Sequence, residues 1–391
     1  MISEKYLDNI LNRISHALDI GDDLFKEAEE EYRHLGKWIN QKLEEEDIQY
    51  KVDIFPQGSM ALGTVVHPLS VKGNYDGFDL DWVLAFQDNY GLSPRKMKCD
   101  IVRGWLYDYL DRNGNSIGRI EEKRRCWHIE NSEHPGFHTD VVPGYIQTQH
   151  LQITDKDEIN NTYSYITSNP KGYQDWFFRR CEISKKRLLE AYNREFQADA
   201  KIEKLKRHKL KTPLQKAIQI LKRYRDVQFR NVDETEHIKP ISIILTTLAA
   251  TFYDNEDSIF ATIESFLKQA YPYIMDNKNE NGYFIADPSN EKENLADKWN
   301  VHSERAVAFF VFLERAQKDF NREKLMQMSN IELASHLKKI LGEDVTTRVF
   351  NELAEERKNS QNQGLLKVDP KRGMLSAAGS IAVTESHHYG R

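Results

Sequence analysis

Asp79 and Asp81 stand one residue apart in the run Phe78-Asp79-Leu80-Asp81-Trp82-Val83-Leu84-Ala85-Phe86, whose other members are all apolar. Such a run reads as a buried strand, and on a strand residues i and i+2 project from one face. Two carboxylates crowded there repel each other unless a cation lies between them. Hard oxygen donors suit Mg2+ or Mn2+ far better than zinc. Asp140, in Phe137-His138-Thr139-Asp140-Val141-Val142, belongs to another short strand candidate. If that strand neighbours the first, three carboxylates converge on one pocket. Gly58–Ser59 precedes the pair by about twenty residues, at a predicted strand-to-helix junction. Glycine lets backbone approach a ligand closely, and unpaired N–H groups at a helix start attract phosphate. A lone DxD in a chain that is 30% charged is weak, and a lone Gly-Ser is an ordinary turn. The ordered combination of the three is specific.

The elements that must position these residues fall into two groups. Residues 1–46 carry helical spacing with a break near Gly21. Ile48, Tyr50, Val52 and Ile54 then alternate as a half-buried strand does, and Phe78–Phe86, Cys126–Ile129 and Phe137–Val142 are further strand candidates. Helical spacing recurs around Asp100–Leu110. Beyond about residue 165 the pattern is helical, over Asp175–Phe196, Leu214–Gln228, Ile241–Phe252, Ser258–Ala270, Ser303–Phe320 and Asn330–Glu356. The expected organisation is α+β: a lobe with a small mixed sheet over 1–165 (the N-terminal helices 1–46 included), a helical lobe over 166–360, and a flexible tail over 361–391.

Composition bounds the partners. At 391 residues with 39% hydrophobic content the chain can bury a sizeable core. A net charge of −6 argues against a permanent seat on a nucleic-acid backbone. Apolar runs fall well short of the ~20 residues that cross a bilayer. The N-terminus reads as an acidic amphipathic helix, unlike a signal peptide. Cys99, Cys126 and Cys181 form no CxxC pair, as expected of reduced thiols in a cytoplasmic protein.

FPQGSMALGT (55–64), YDGFDLDWVLAF (75–86) and HTDVVPGY (138–145) together resemble the polymerase-β-like nucleotidyltransferase core. More narrowly they resemble the bacterial CD-NTases, relatives of the animal cyclic GMP–AMP synthase and the oligoadenylate synthases. SNPKGYQDWFFRR (168–180), TPLQKAIQILKRYRDV (212–227) and KPISIILTTLAA (239–250) are similar to that family's helical lobe. The zinc insertion of the animal synthase has no counterpart. The resemblance implies an active site in the cleft between the lobes. It makes Asp79, Asp81 and Asp140 both catalytic residues and ligands of two Mg2+ ions, with Mn2+ as a substitute. It places Gly58 and Ser59 on the donor triphosphate, Lys222 and Ser242 on its outer phosphates, and Gln57 beside them.

The implied activity is the joining of nucleoside triphosphates into a cyclic di- or trinucleotide that switches on a downstream effector in antiphage defence. Transfer of a nucleotide to RNA or protein is the alternative within enzymes; an inert nucleotide sensor is the alternative outside them. The intact third aspartate argues against inertness. His138 shares a strand face with Asp140 and reads as a packed histidine. Tyr163, Tyr165 and Asn169 fall where the lobes should meet, in reach of a base. Trp176, Phe177 and Phe178 read as core. The basic run 201–211 reads as a solvated segment, with a nucleic-acid contact as its functional alternative. The tail, closing in SHHYGR, resembles tails that a ubiquitin-transfer-like partner joins to other proteins.

Overall fold

The computed structural model describes residues 2–71, 74–75, 78–112, 120–130, 137–198, 210–232 and 237–363, with the short segments 367–369, 374–376 and 381–382. Two helices, α1 (Glu4–Leu18) and α2 (Asp22–Glu45), precede the first strand, β1 (Val52–Pro56), and a five-residue helix, α3 (Gly58–Leu62). A small ribbon of β2 (Ser70–Val71) and β3 (Asn74–Tyr75) leads into β4 (Phe78–Phe86). A π-helical stretch, Lys96–Val102, runs into α4 (Arg103–Arg112). Then come β5 (Ile120–Glu122), β6 (Trp127–Glu130), β7 (Phe137–Gln147), β8 (His150–Asp157) and β9 (Thr162–Ser168).

The sheet runs β1-β4-β7-β6-β5, with β8 continuing from the far half of β7 and β9 beside it. Only β4 and β7 are parallel; the other pairings are antiparallel. The apolar run of β4 is explained by burial on both faces. Leu80, Trp82, Leu84 and Phe86 pack with Leu35 and Ile39 of α2 and Trp105 and Leu106 of α4. Val83 and Ala85 face the other way, against Cys126, Val142, Leu151 and Ile153. The two acids lie on this second face, at the end where the apolar cover stops.

The helical part comprises α5 (Pro170–Arg180), α6 (Glu182–Ala198), α7 (Pro213–Gln228), α8 (Ser242–Phe252), α9 (Ile259–Asp276), α10 (Ser303–Asp319), α11 (Arg322–Gln327), α12 (Asn330–Leu341) and α13 (Glu343–Asn362). A hairpin of β10 (Ala286–Asp287) and β11 (Asn290–Asn294) interrupts it. Its core joins Ile218 and Leu221 of α7 to Leu245 and Leu248 of α8, Ile263 and Phe266 of α9, Phe309 of α10 and Leu337 of α12. The same core takes Leu7, Ile10, Leu11, Ile14 and Leu18 of α1. The N-terminal pair of helices therefore divides: α2 covers the sheet, whereas α1 packs on the helical lobe, not on the sheet lobe to which sequence assigned it. The reason is in the pattern. Five fully buried apolar side chains on one stripe of α1 need a helical groove, which α7, α9 and α13 provide.

Two helices expected to be continuous are broken. The one over 175–196 begins earlier and is split at Cys181; the one over 330–356 is split at Gly342, whose φ of +100° no helix interior accepts. Strands β8 and β9 and the β10–β11 hairpin were not expected, although Leu151 and Ile153 alternate visibly. In the tail, β12 (Lys367–Asp369) pairs with β13 (Met374–Ser376) and β14 (Ile381–Ala382). The closing SHHYGR, and most of the basic run 201–211, lie outside the described residues. Among the described residues no helix is long and apolar enough to cross a membrane.

Candidate active site

The parallel register of β4 and β7 sets Asp81 opposite Asp140 and Asp79 opposite His138. Neighbouring strands lie about 4.8 Å apart, so Asp81 and Asp140 share one rung and Asp79 stands two residues along β4 on the same face. On the other edge of β7, His128 of β6 pairs with Asp140, and its Nδ1 donates to Asp140 Oδ1 at 2.7 Å. His128 in turn lies 5.1 Å, centroid to centroid, from the ring of His138. The buried thiol of Cys126 lies near Asp140, and burial pushes it above the usual thiol range.

Asp79 and Asp81 open into a cavity of about 570 Å³ whose walls also include Gly58, Ser59, Lys222 and Ser242. Asp140 and Gln57 are not on that wall. Among the described residues no three acidic, histidine or cysteine side chains are grouped tightly enough to hold an ion as they stand. The structure thus puts Asp79 and Asp81 on the cavity wall and sets Asp140 opposite Asp81 on the neighbouring strand, with one oxygen on His128.

Electrostatics show the same crowding. Desolvation, then Asp79 and Asp140, push the carboxyl of Asp81 up to about 7. Asp79 is raised by desolvation and by Asp140, while His138 and His128 pull it back. Lys222 offsets Asp81 only in part and Lys239 Asp79 only in part, and such hard oxygen donors suit a divalent cation.

A pH prediction follows. The folded protein holds the Asp81 proton up to about 7, whereas an unfolded aspartate releases it near the ordinary 3.8. The folded state therefore binds more protons between these values, so stability without divalent cation falls as pH rises across that window. Asp81→Asn removes the slope. By thermal melting in chelator, the variant is expected to be a few degrees more stable than the parent at pH 8, with the gap closing near pH 4. A gap independent of pH would contradict the crowding.

The turn that carries Gly58 is pinned to the acids by backbone. The N–H of Gln57 donates to the carbonyl of Asp81 at 2.8 Å, and β1 pairs with β4 up to Pro56–Trp82. Gln57 acts here through its backbone; its side chain makes no capping bond. Gly58 has φ +57°, and a Cβ added to it would fall well inside contact distance of Asp81 Oδ2 and 3.1 Å from Asp81 Cγ. Only glycine lets the backbone pass so close to the carboxylate.

Helix α7 holds the segment after α3 from the other side. Gln215 Nε2 donates to the carbonyl of Leu62 at 2.8 Å, Gln219 Nε2 to that of Val65 at 2.7 Å, Lys222 Nζ to that of Thr64 at 3.1 Å, and Arg223 Nη2 to that of His67 at 3.0 Å. Gln215, Gln219 and Arg223 are spaced by four and Lys222 is three on from Gln219, which puts these donors on one helical stripe. They satisfy carbonyls that a loop buried between two lobes would otherwise leave unpaired. Lys222 is buried, and desolvation followed by the charge of Arg225 lowers its ammonium to about 7. Arg225 Nη1 donates to Ser242 Oγ at 2.7 Å, and Asp226 is bridged by Arg225 at 2.7 Å and Lys239 at 2.8 Å. Sequence reasoning passed over Arg225, Asp226, Lys239 and His128. The spacing of Lys222, Arg225 and Asp226 along one helix face was the signal available for two of them.

Three residues expected near a base have other employment. Tyr163 donates to Glu122 Oε1 at 2.9 Å, and Tyr165 donates to the carbonyl of Leu92 at 3.0 Å while packing edge-on to Tyr145. Asn169 caps α5, accepting from the N–H of Gly172 at 3.0 Å, and its Nδ2 donates to the carbonyl of Ser289. These are sheet-packing and lobe-joining roles, away from the cavity wall. Phe177 is fully buried and Trp176 packs against the same core, but Phe178 is exposed.

Residues 52–145 match the family model for the nucleotidyltransferase domain of cyclic GMP-AMP synthase DncV-like proteins. A curated relative, the c-di-GMP synthase of Roseivirga ehrenbergii, is 29% identical over 372 residues, spanning 92% of this chain and 90% of that protein. Among solved structures, the Bradyrhizobium diazoefficiens CD-NTase CdnG in complex with GTP superposes with TM-score 0.65 at 18% identity, covering 89% of this chain and 99% of that one. The Vibrio cholerae cyclic AMP-GMP synthase DncV, bound to a nonhydrolysable GTP, gives 0.53 at 17%, covering 88% and 81%. At these identities the structures speak for the fold, which is polymerase-β-like. The family model and the relative liken the chain to nucleotidyltransferases that make cyclic dinucleotides, and the solved structures give it the CD-NTase fold.

Proposed function

We propose that this CD-NTase joins two nucleoside triphosphates, GTP foremost, into a cyclic dinucleotide messenger for antiviral defence, releasing pyrophosphate at each bond. The observation that carries this reading is the layout of the cavity. Two carboxylates, Asp79 and Asp81, share its wall with Gly58, Ser59, Lys222 and Ser242. Acids beside a row of donors suit a triphosphate whose charge is shared with cations. The relative's description as a c-di-GMP synthase and the GTP held by CdnG support guanine nucleotides.

In the reaction, a ribose hydroxyl oxygen attacks the α-phosphorus, the bond to the β-phosphate oxygen breaks, and pyrophosphate leaves with the electron pair. Asp79, Asp81 and Asp140 are the residues to hold Mg2+, two ions in all, which when bound would acidify the attacking hydroxyl and offset charge on the leaving group. Asp140, steadied by His128, accepts the hydroxyl proton. The Gly58 turn and Ser59 align the phosphates, and Lys222 supplies charge within hydrogen-bond reach of them.

Incubation with the four triphosphates and Mg2+, followed by mass spectrometry, is expected to yield a phosphatase-resistant cyclic dinucleotide and pyrophosphate. Nucleotides added to RNA or protein, or binding without product, would overturn the proposal. A charged hydrogen bond to phosphate is worth about 1.5–3 kcal/mol, so Lys222→Ala should raise KM for the donor roughly 10- to 100-fold with kcat little changed. An unchanged KM would remove Lys222 from the site.

A further inference from the structure

Along α7 the cavity wall carries Lys222, whose charge acts on Asp81, then Arg225 and Asp226 one turn on, then Phe229 and Arg230. At about 1.5 Å rise per residue, Arg225 lies about 4.5 Å further along the helix axis than Lys222. Given the proposed function, on which this inference rests, a donor whose α-phosphate meets Asp79 and Asp81 brings its outermost phosphate to Arg225 and the start of α8.

Four of the five guanidinium N–H groups of Arg225 are committed to protein. Its Nη1 donates to the carbonyl of Pro240 at 3.1 Å and to Ser242 Oγ at 2.7 Å; its Nε and Nη2 both donate to Asp226 Oδ1, at 2.9 and 2.7 Å. A serine hydroxyl has one proton and two lone pairs. With a guanidinium on one lone pair, the hydroxyl is polarised and its proton turned away from the cation, which makes it a stronger donor. Asp226 fixes the guanidinium and is neutralised from two sides, by Arg225 and by Lys239 at 2.8 Å, so its carboxylate does not repel an incoming phosphate. The first turn of α8, with Ser242 and Ile243 on the cavity wall, adds the positive end of a helix of eleven residues.

We infer that Arg225 is a positioning residue that commits Ser242 to donate to the terminal phosphate, and that this pair, held by Asp226, makes the cleft select triphosphates over diphosphates.

The test titrates the full chain with a GTP analogue bearing an α,β-methylene bridge, which blocks the bond the reaction breaks, and separately with GDP, in the presence of Mg2+. The parent should bind the analogue at least ~10-fold tighter than GDP, the worth of one charge-assisted hydrogen bond. Ser242→Ala and Arg225→Met should each abolish most of that preference while leaving GDP affinity within about threefold. The double variant should be no worse than the worse single, because the two residues form one unit. In steady state the loss should appear in KM for GTP and not in kcat. Multiplying effects would show Arg225 acting independently, and equal losses for GDP would show a general packing defect; either overturns the inference. Arg225→Lys, which keeps a cation but cannot span Ser242 and Asp226 together, should fall between the parent and Arg225→Met, and it serves if Arg225→Met melts early. A parent that binds neither nucleotide overturns the proposed function itself. A parent that binds both equally overturns only this inference.

Discussion

Asp79→Ala combined with Asp81→Ala should lower product formation by at least about a thousandfold, since loss of a single charge-stabilising group at a reacting centre already costs about 10²–10³. Both side chains open into the cavity, both sit on the strand that hydrogen-bonds the Gly58 turn, and both carry carboxyl groups raised by desolvation and by neighbouring acids. The substitution leaves the apolar remainder of β4 intact, with Leu80, Trp82, Leu84 and Phe86 still in the core. The fold should survive, and without divalent cation the double variant should melt no lower than the parent. Pyrophosphate release and labelled product, read beside the melting curve, separate the two effects. Undiminished product would remove the acids from the chemistry. Lost product together with a collapsed melting temperature would instead place them in the fold.

Gly58→Ala should be nearly as damaging to activity, through geometry alone. The residue has φ +57°, a conformation that costs an L-residue about 1–2 kcal/mol, and the new methyl would press on the Asp81 carboxylate. Displacing a reacting group by about 1 Å can cost roughly 10²-fold. The expected result is a fall in kcat/KM of about that size, with a melting temperature only a few degrees lower. Gly91→Ala is the control. Gly91 has φ +67° with nothing within 4 Å of an added Cβ, so it suffers the backbone strain without the collision. Equal losses of activity in the two variants would mean that strain, not the approach to Asp81, accounts for the effect.

The residues that do chemistry were easier to find in the sequence than their relations. Asp79, Asp81, Gly58 and Ser59 lie within about twenty-five residues and belong to a strand, a turn and a strand whose patterns are local. Lys222 and Ser242 rested on resemblance alone, because one lysine among many on an amphipathic helix carries no local mark. The structure brings both to the same cavity as the acids. Tyr163, Tyr165 and Asn169 were misjudged because the β8–β9 pair was not seen. Once those strands join the sheet, their side chains have partners in Glu122, Leu92 and the cap of α5.

Asp79 and Asp81 share a strand face because a strand alternates every residue, and that much needs no partner to be true. Local periodicity likewise determined a sheet-bearing first half, a helical second half and a glycine turn ahead of the acids. Tertiary structure alone decided which strands are neighbours. It placed Asp140 opposite Asp81 with an oxygen on His128, sent α1 to the helical lobe, and laid α7 along the turn so that Lys222 and Arg225 reach the cavity. Those outcomes depend on pairings between residues as far apart as Thr64 and Lys222, or Asp81 and Asp140. Such pairings are chosen by how buried faces and unsatisfied carbonyls match once the chain has closed on itself.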